Sequence, residues 1–223
     1  MKTTISKTDA QLRQDVIDEI ERDRRFTPAE LGVEVDQGIV TLIGTVSSYT
    51  KVTAAADIAA DIAGTKGVAN ELTVRATGSL FMGDTELAAA VRNALKWDAD
   101  LPDEMIEVIV RHGVVTLKGS VDYWYQRRAA AVRVGTLAGV SAINNDIVVV
   151  APMMADGDIR ANIEKAIARR IPLAARHIKT EVKGGVVHLK GDVQFYSDRL
   201  QAEKAAWTTE GVRDVENKIV PTW

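Results

Sequence analysis

One seven-residue pattern, Gly-x-Val-x-Leu-x-Gly, occurs three times in this chain, at residues 38–44, 113–119 and 185–191. A second glycine follows the end of each copy by twenty residues, and an asparagine follows that glycine by six. The closing glycines are Gly44, Gly119 and Gly191, the second glycines are Gly64, Gly139 and Gly211, and the asparagines are Asn70, Asn145 and Asn217. A repeat of about seventy residues is too long for a solenoid unit and suits a small domain with its own core. The chain is therefore predicted to hold three tandem domains, at 1–76, 77–151 and 152–223.

Each copy is predicted to begin with an amphipathic helix. Residues 8–11, Thr-Asp-Ala-Gln, are typical of a capping box at a helix start. Apolar residues then recur every four positions, which places them on one helical face. They are Leu12, Val16 and Ile20 in the first copy, Leu87, Val91 and Leu95 in the second, and Ile159, Ile163 and Ile167 in the third.

A β-hairpin is predicted to follow this helix. A connection containing Pro28, Pro102 or Pro172 leads into an alternating run, which is Leu31, Val33 and Val35 in the first copy and Ile106, Val108 and Val110 in the second. Turn residues then lead into the seven-residue pattern, which forms the second strand. Its period of two places the closing glycine on the inward face. We expect the backbone of the alanine-rich helix that follows to approach that glycine, where a side chain would hold it off.

The second half of each copy is predicted to be a helix and a last strand. Residues 50–63, 125–138 and 197–210 form the helices, and their inner faces carry small residues: Ala55 and Ala59, Ala130 and Val134, and Ala202 and Ala206. The element order α-β-β-α-β in so few residues allows only two layers. The fold class is therefore α+β, with two helices on one face of a three-stranded sheet and the opposite face bare. The apolar linkers at 77–83 and 151–155 indicate that the domains pack together.

Composition limits the classes of partner. The chain is 46% hydrophobic and 26% charged, near the average for globular proteins. Its net charge is −3, and no segment has a strong basic excess, so nucleic acid is not expected as a partner. The chain lacks cysteine, which excludes disulfides and thiol chemistry.

These repeated features resemble the BON domain. The resemblance rests on the α-β-β-α-β order and on the spacing of the two glycines and the asparagine, and it covers nearly the whole chain. It implies a non-catalytic module of bacterial osmotic-shock and envelope-stress proteins that binds phospholipid or supports other proteins. The six glycines are fold markers in this family, and the first copy departs from it with Thr65 where valine is usual. Many members are periplasmic, but the N-terminus shows no apolar export signal, so a cytoplasmic location is expected.

The candidate site precedes the second helix of each copy. Tyr49, Trp124 and Tyr196 share one position in the repeat, and Tyr123, Tyr125 and Phe195 flank it. One aromatic per copy would close the corner between helix and sheet as a hydrophobic staple. Three consecutive aromatics cannot all turn inward, so Tyr123 or Tyr125 is expected to be partly exposed. Together with Trp124, Arg127 and Arg128 they form the predicted lipid- or partner-binding site.

No enzyme, cofactor or metal site is predicted. His112, His177 and His188 are not spaced to share one metal ion. Acidic pairs lie on solvent faces, and phosphate-loop, dinucleotide and Ser-His-Asp signatures are absent from the sequence.

Two classes of function stay open, beside the possibility that the domains simply pack on one another and leave one small interface. One is a module that binds membrane phospholipid headgroups. The other is a protein-interaction or chaperone-like stress protein that uses its bare sheet faces, with outward residues such as Ile39 and Val114.

Overall fold

The computed structural model describes residues 7–27, 29–75 and 82–222 of the chain. Pro28 and most of the first linker therefore lie outside the described residues. The first domain contains α1 (Asp9–Arg22), β1 (Leu31–Asp36), β2 (Ile39–Val46), α2 (Tyr49–Asp61) and β3 (Gly67–Val74). The second contains α3 (Asp84–Lys96), β4 (Ile106–Arg111), β5 (Val114–Val121), α4 (Trp124–Gly135) and β6 (Ala142–Val149). The third contains α5 (Asp156–Arg170), β7 (Ile178–Lys183), β8 (Val186–Val193), α6 (Tyr196–Trp207) and β9 (Asp214–Pro221).

Three tandem α+β domains are confirmed. In each sheet the strand of the seven-residue pattern lies in the middle, antiparallel to the strand before it and parallel to the last strand. The predicted stripes of all three first helices are buried, as are the predicted small residues of the second helices. The opposite sheet faces carry exposed and half-exposed side chains, including Ile39 and Val114. Within the described residues, no helix is long and apolar enough to cross a bilayer.

An aspartate at the first position of each first helix holds the hairpin turn. Asp9 accepts hydrogen bonds from the backbone N–H groups of Gln37 and Gly38, at 2.8 and 2.9 Å. Asp84 and Asp156 make the same pair of bonds in the other two domains. Both central turn residues have positive φ, 50° and 81° at Gln37 and Gly38, as a type I′ hairpin requires. The helix start and the turn are thus locked together.

The second glycine of each repeat lies against this turn from the other side. A β-carbon built at Gly113 would lie 2.8 Å from the carbonyl oxygen of Gly139, and one at Gly185 would lie 2.8 Å from that of Gly211. The chain after the second helix therefore crosses the turn so closely that its carbonyl group leaves no room for a side chain at the turn glycine. The second helices accordingly end two or three residues earlier than the sequence predicted.

The closing glycine has a different role from the one predicted. Gly44 and Gly119 are both exposed, and within the described residues the atoms nearest to a β-carbon built on either glycine do not belong to the second helix. A β-carbon on Gly119 would instead collide with the carbonyl oxygen of Met105, just before β4, and its φ of 125° is unfavourable for other residues. Gly44 and Gly191 meet the carbonyls of Glu30 and His177 in the same way. The predicted contact with the second helix was wrong, because the backbone that meets these glycines is the segment leading into the first strand. In the second and third domains that segment is a short 3-10 helix, at Asp103–Met105 and Ala175–His177.

The repeated asparagine joins the second helix to the last strand. Asn145 donates through Nδ2 to the carbonyl oxygen of Arg127 at 2.8 Å, and its Oδ1 accepts from the backbone N–H of Ile147 at 3.4 Å. Asn70 and Asn217 make equivalent bonds.

Thr65, the departure from the family pattern, is buried where Val140 and Val212 lie in the other domains. Its hydroxyl donates to the carbonyl oxygen of Ala59 at 2.8 Å, which satisfies the buried polar group.

We expect Gly119→Ala to lower the free energy of unfolding by about 3 kcal/mol, because the new methyl group meets the Met105 carbonyl at an unfavourable φ. Gly157→Ala is the matched control. That glycine lies in α5 with open space around it, so alanine should raise the free energy of unfolding by up to about 1 kcal/mol. Urea denaturation followed by circular dichroism measures both, and equal effects would contradict the role of the closing glycine.

A second expectation concerns pH. Hydrogen bonds from the His112 and Gly113 backbone N–H groups lower the pKa of Asp84. The folded-state pKa is therefore below the unfolded value of about 4, and the bonds stabilise the fold above that value and are lost as the pH falls through the folded pKa. Asp84→Asn should reduce the urea midpoint at pH 7, and its difference from wild type should shrink below about pH 4. Asp146→Asn, at an exposed carboxylate without a hydrogen bond in the described residues, should change little at either pH.

Candidate functional site

The second helices of the three domains meet one another, and the predicted aromatic position lies at these contacts. Tyr49, at the start of α2, packs against the core of the second domain. A β-carbon built on Gly135, the last residue of α4, would lie 3.1 Å from Cδ1 of Tyr49. The tyrosine ring therefore occupies the space that a side chain at this position would need. Burial raises the pKa of Tyr49.

Trp124 makes the corresponding contact between the second and third domains. Its ring stacks on Trp207, the last residue of α6, with ring centroids 6.1 Å apart and an angle of 16° between the planes. The Arg127 guanidinium lies 5.8 Å from the Trp207 ring centroid, and that of Arg128 lies 5.4 Å from the Trp124 ring centroid. Two stacked indoles with a cation on each form the centre of this junction.

The first and third domains also touch, through α2 and α6. Asp57 of α2 lies in the field of Arg25, Arg128 and Lys204, one from each domain, and these cations favour its charged form. Desolvation is the larger effect, however, and together with Asp61 it raises the pKa of Asp57. The expected packing of the repeats thus takes the form of a ring of three helix contacts. Trp124 packs against the core of its own domain, as the hydrophobic-staple interpretation expects, and also stacks on Trp207. Tyr49 packs against the core of the neighbouring domain, which that interpretation did not include.

Tyr123 and Tyr125 are the exposed members of the predicted site. Their exposed fractions are 39% and 52%, and their rings stack with centroids 5.6 Å apart. Tyr123 is the residue before α4, and its backbone N–H donates to Oε1 of Gln126 at 3.1 Å. The bond fixes the start of the helix and so fixes where both tyrosines emerge.

The remaining predicted residues divide into two groups. Arg128 is exposed, whereas Trp124 and Arg127 are half-buried at the domain junction. Nη2 of Arg127 donates to the carbonyl oxygen of Asn145 at 2.9 Å, and its buried Nε has no hydrogen-bond partner in the described residues. In the third domain the equivalent Arg199 donates through Nε to the Ile219 carbonyl oxygen at 3.1 Å. Tyr123, Tyr125 and Arg128 are therefore the accessible part of the site.

Several exposed hydrophobic residues were not predicted from the sequence, and Trp97 and Leu173 are among them. Trp97, just after α3, is 87% exposed, and Leu173 is 82% exposed. Trp207 was also missed, because the corresponding residues in the other copies are Ala60 and Gly135 and give no repeated signal. The one sequence feature that distinguishes Trp207 is an aromatic residue at a position where the other two copies have a small residue. Within the described residues, no three His, Asp or Glu side chains group as metal ligands.

Comparison with known proteins gives a consistent match along the chain. A family model described as "BON domain" matches residues 8–76, 83–151 and 155–220. The chain is also similar to the Escherichia coli (strain K12) protein "Osmotically-inducible protein Y", with 31% identity over 122 residues. That alignment covers 53% of this chain and 61% of the relative. The match therefore spans about three fifths of the relative's length.

Two solved structures show weaker likeness. One is titled "CdsD - The structural protein of the Type III secretion system of Chlamydia trachomatis: C-terminal domain", with 12% identity, a TM-score of 0.27, and 97% of this chain and 100% of that chain covered. A second structure of CdsD has 14% identity and a TM-score of 0.26, with 94% of this chain and 92% of that chain covered. Sequence identities and TM-scores this low do not indicate a shared function.

We expect Trp207→Ala to lower the free energy of unfolding by about 2 kcal/mol, because it removes the stack on Trp124 and the contact with Arg127. Trp97→Ala is the matched control, since that ring is 87% exposed and its loss should cost less than about 0.5 kcal/mol. Urea denaturation gives the free energies, and near-ultraviolet circular dichroism reports the stacked indoles. Equal stability of the two variants would contradict a structural junction at Trp207.

Proposed function

Because this chain belongs to the BON-domain family, we propose that it is a non-enzymatic binding protein of the osmotic or envelope stress type. Its second domain contacts membrane phospholipid headgroups. The three family matches and the similarity to a relative named as osmotically inducible support the stress role. The observation that carries the lipid contact is the exposed, stacked pair Tyr123 and Tyr125 next to Arg128.

The chemistry of this pair suits the interface between water and lipid. Tyrosine rings are amphipathic and favour the headgroup level of a bilayer, where the ring meets acyl chains and the hydroxyl stays hydrated. The stacked arrangement presents two rings from one short segment. Because the bond between Tyr123 and Gln126 fixes the helix start, little ordering is needed when the surface binds.

Except for the exposed Asp122 next to Tyr123, the charges near the tyrosines favour an anionic headgroup. The first turn of α4 contains no acidic residue, unlike those of α3, α5 and α6. The N-terminal end of a helix attracts negative charge, and Arg128 adds a full positive charge on its exposed side. Arg127 is less suited to direct contact, because Nη2 is bound to the Asn145 carbonyl and its guanidinium lies over Trp207. We assign it, with Trp124, the role of holding α4 in place.

A second candidate function is binding of other proteins through the sheet faces. It is favoured in the first domain, where Ile39 is 49% exposed and Ile43 is half-exposed on the same face. The third domain suits apolar binding less well. Its outer face carries ion pairs between Lys190 and Glu181 at 2.9 Å and between Lys218 and Glu216 at 3.0 Å.

The lipid proposal is tested by sedimentation of the full chain with liposomes. We expect binding to vesicles that contain phosphatidylglycerol, weaker binding to phosphatidylcholine alone, and release by high salt, because salt screens the contact with Arg128. Tyr123→Ser with Tyr125→Ser should reduce the bound fraction at least about fivefold, since two interfacial rings are lost.

Met153→Ser is the control, because it removes a side chain that is 93% exposed in the linker between the second and third domains. It should leave lipid binding unchanged. Circular dichroism spectra should show that both variants keep the fold. Binding that survives the double substitution would remove the tyrosines from the site. A lack of binding to either vesicle, at low salt, would contradict the lipid proposal and favour protein partners.

A further inference from the structure

The same corner of the fold is filled differently in the three domains. Twelve residues before the turn glycine, the chain has Phe26, Leu101 and Leu173. Phe26 and Leu101 are each only 7% exposed and belong to the cores of their domains. Leu173 is 82% exposed. The third domain therefore turns outward the side chain that is buried at this position in the other two.

The position of a proline explains the difference. Pro172 precedes Leu173, whereas Pro102 follows Leu101. Residues 171–174 form a turn in which the Ala174 N–H donates to the Ile171 carbonyl oxygen at 3.1 Å, and proline is favoured at the second position of such a turn. The turn buries Ile171 and Ala174, with exposed fractions of 8% and 9%, and directs Leu173 outward.

A cleft of about 450 Å³ lies beside this turn. Ile171, Ala174, Val193 and Phe195 form apolar parts of its lining, and Leu173 lies at the same cleft. Val193 is buried, so the apolar surface continues into the core of the domain. This volume is large enough to take an aromatic or branched aliphatic side chain.

The first domain shows which chemistry fits this corner. The Lys51 Nζ lies 6.0 Å from the ring centroid of Phe26 and 2.8 Å from a carboxylate oxygen of Glu30. Lys51 and Glu30 correspond by register to Asp198 and His177 of the third domain, and both of these residues line the cleft. An apolar side chain next to a cation and a carboxylate thus fills the corner in the first domain. In the third domain the same two positions hold the Asp198 carboxylate and the His177 imidazole, and Leu173 is turned outward.

The charges at the cleft favour a cationic partner. Asp192 and Asp198 both line it. Asp192 lies 3.8 Å from Nδ1 of His177, whereas Asp198 forms no salt bridge within the described residues. Burial raises the pKa of Asp198, although a hydrogen bond with the Phe195 backbone lowers it, and a cation next to the carboxylate would further favour the charged form. Arg170, the one basic residue of the lining other than His177, has its Nη2 3.5 Å from the Thr208 hydroxyl.

We propose that this cleft binds a segment of a partner polypeptide that carries phenylalanine or leucine beside lysine or arginine. The apolar side chain enters the cleft between Ile171 and Val193, as Phe26 fills the corresponding corner of the first domain. The cation pairs with Asp198. The site lies in the third domain and does not depend on the lipid contact proposed for the second.

The test is a titration of the full chain, labelled with ¹³C at its Ile, Leu and Val methyl groups, with acetyl-Arg-Phe-amide. We expect saturable shifts of the Ile171, Leu173 and Val193 methyl signals. Acetyl-Arg-Ala-amide, which lacks the ring, should bind at least about tenfold more weakly, because it buries little apolar surface. Acetyl-Glu-Phe-amide should also bind more weakly, because it places a carboxylate next to Asp198.

Asp198→Asn should weaken acetyl-Arg-Phe-amide binding about threefold to tenfold and leave acetyl-Glu-Phe-amide no weaker. Glu210→Gln, at an exposed carboxylate of the same domain, is the matched control and should bind like wild type. Equal affinity for the phenylalanine and alanine peptides would overturn the proposal. Contacts from the Leu173 methyls to Val193 without peptide would also overturn it, since the chain's own leucine then fills the cleft. Shifts that grow with protein concentration alone would assign the cleft to a second copy and overturn it as well.

Discussion

Each domain depends on the clamp around its hairpin turn. A carboxylate at the start of the first helix accepts both N–H groups of the turn, and the chain that follows the second helix crosses the turn on its other side. Four of the five secondary-structure elements therefore meet at one point. The clamp requires an aspartate at the start of the first helix, two turn residues with positive φ, and a glycine where the chain after the second helix crosses the turn. This accounts for much of the repeated signal in the sequence, since few other residue types satisfy these constraints.

The sequence predicted the parts of the fold that depend on periodicity. The buried helix stripes, the inner faces of the second helices and the strand positions followed from spacing, because burial on one face imposes a period on the residue types. The closing glycines were located correctly but explained wrongly. A sequence does not show whether a glycine is needed because a backbone carbonyl lies close to it or because a helix packs against it. Strand order, with the middle strand pairing in both directions, also needed the structure.

The candidate site was harder to predict, because its distinctive residues are those that do not repeat. Tyr123 and Tyr125 were found because three adjacent aromatics cannot all be buried. Trp124 looked like their equal, yet it stacks on Trp207 in the next domain, a residue without aromatic counterparts in the other copies. Leu173 occupies a repeated hydrophobic position and is exposed only because a proline has moved by two positions in the repeat. The contacts between domains and the conformation of the loop depend on such single differences. A comparison that looks only for what the repeats share does not detect them.

The junctions between the second helices also give the array a fixed order. Tyr49 fits against Gly135, where there is no side chain, whereas Trp124 lies against the large ring of Trp207. If the second and third domains exchanged places, Tyr49 would meet Trp207, and two bulky rings would compete for a space shaped for one. Domains that share one fold are therefore not interchangeable here. The order of the domains along the chain is set by the sizes of a few side chains at the ends of the second helices.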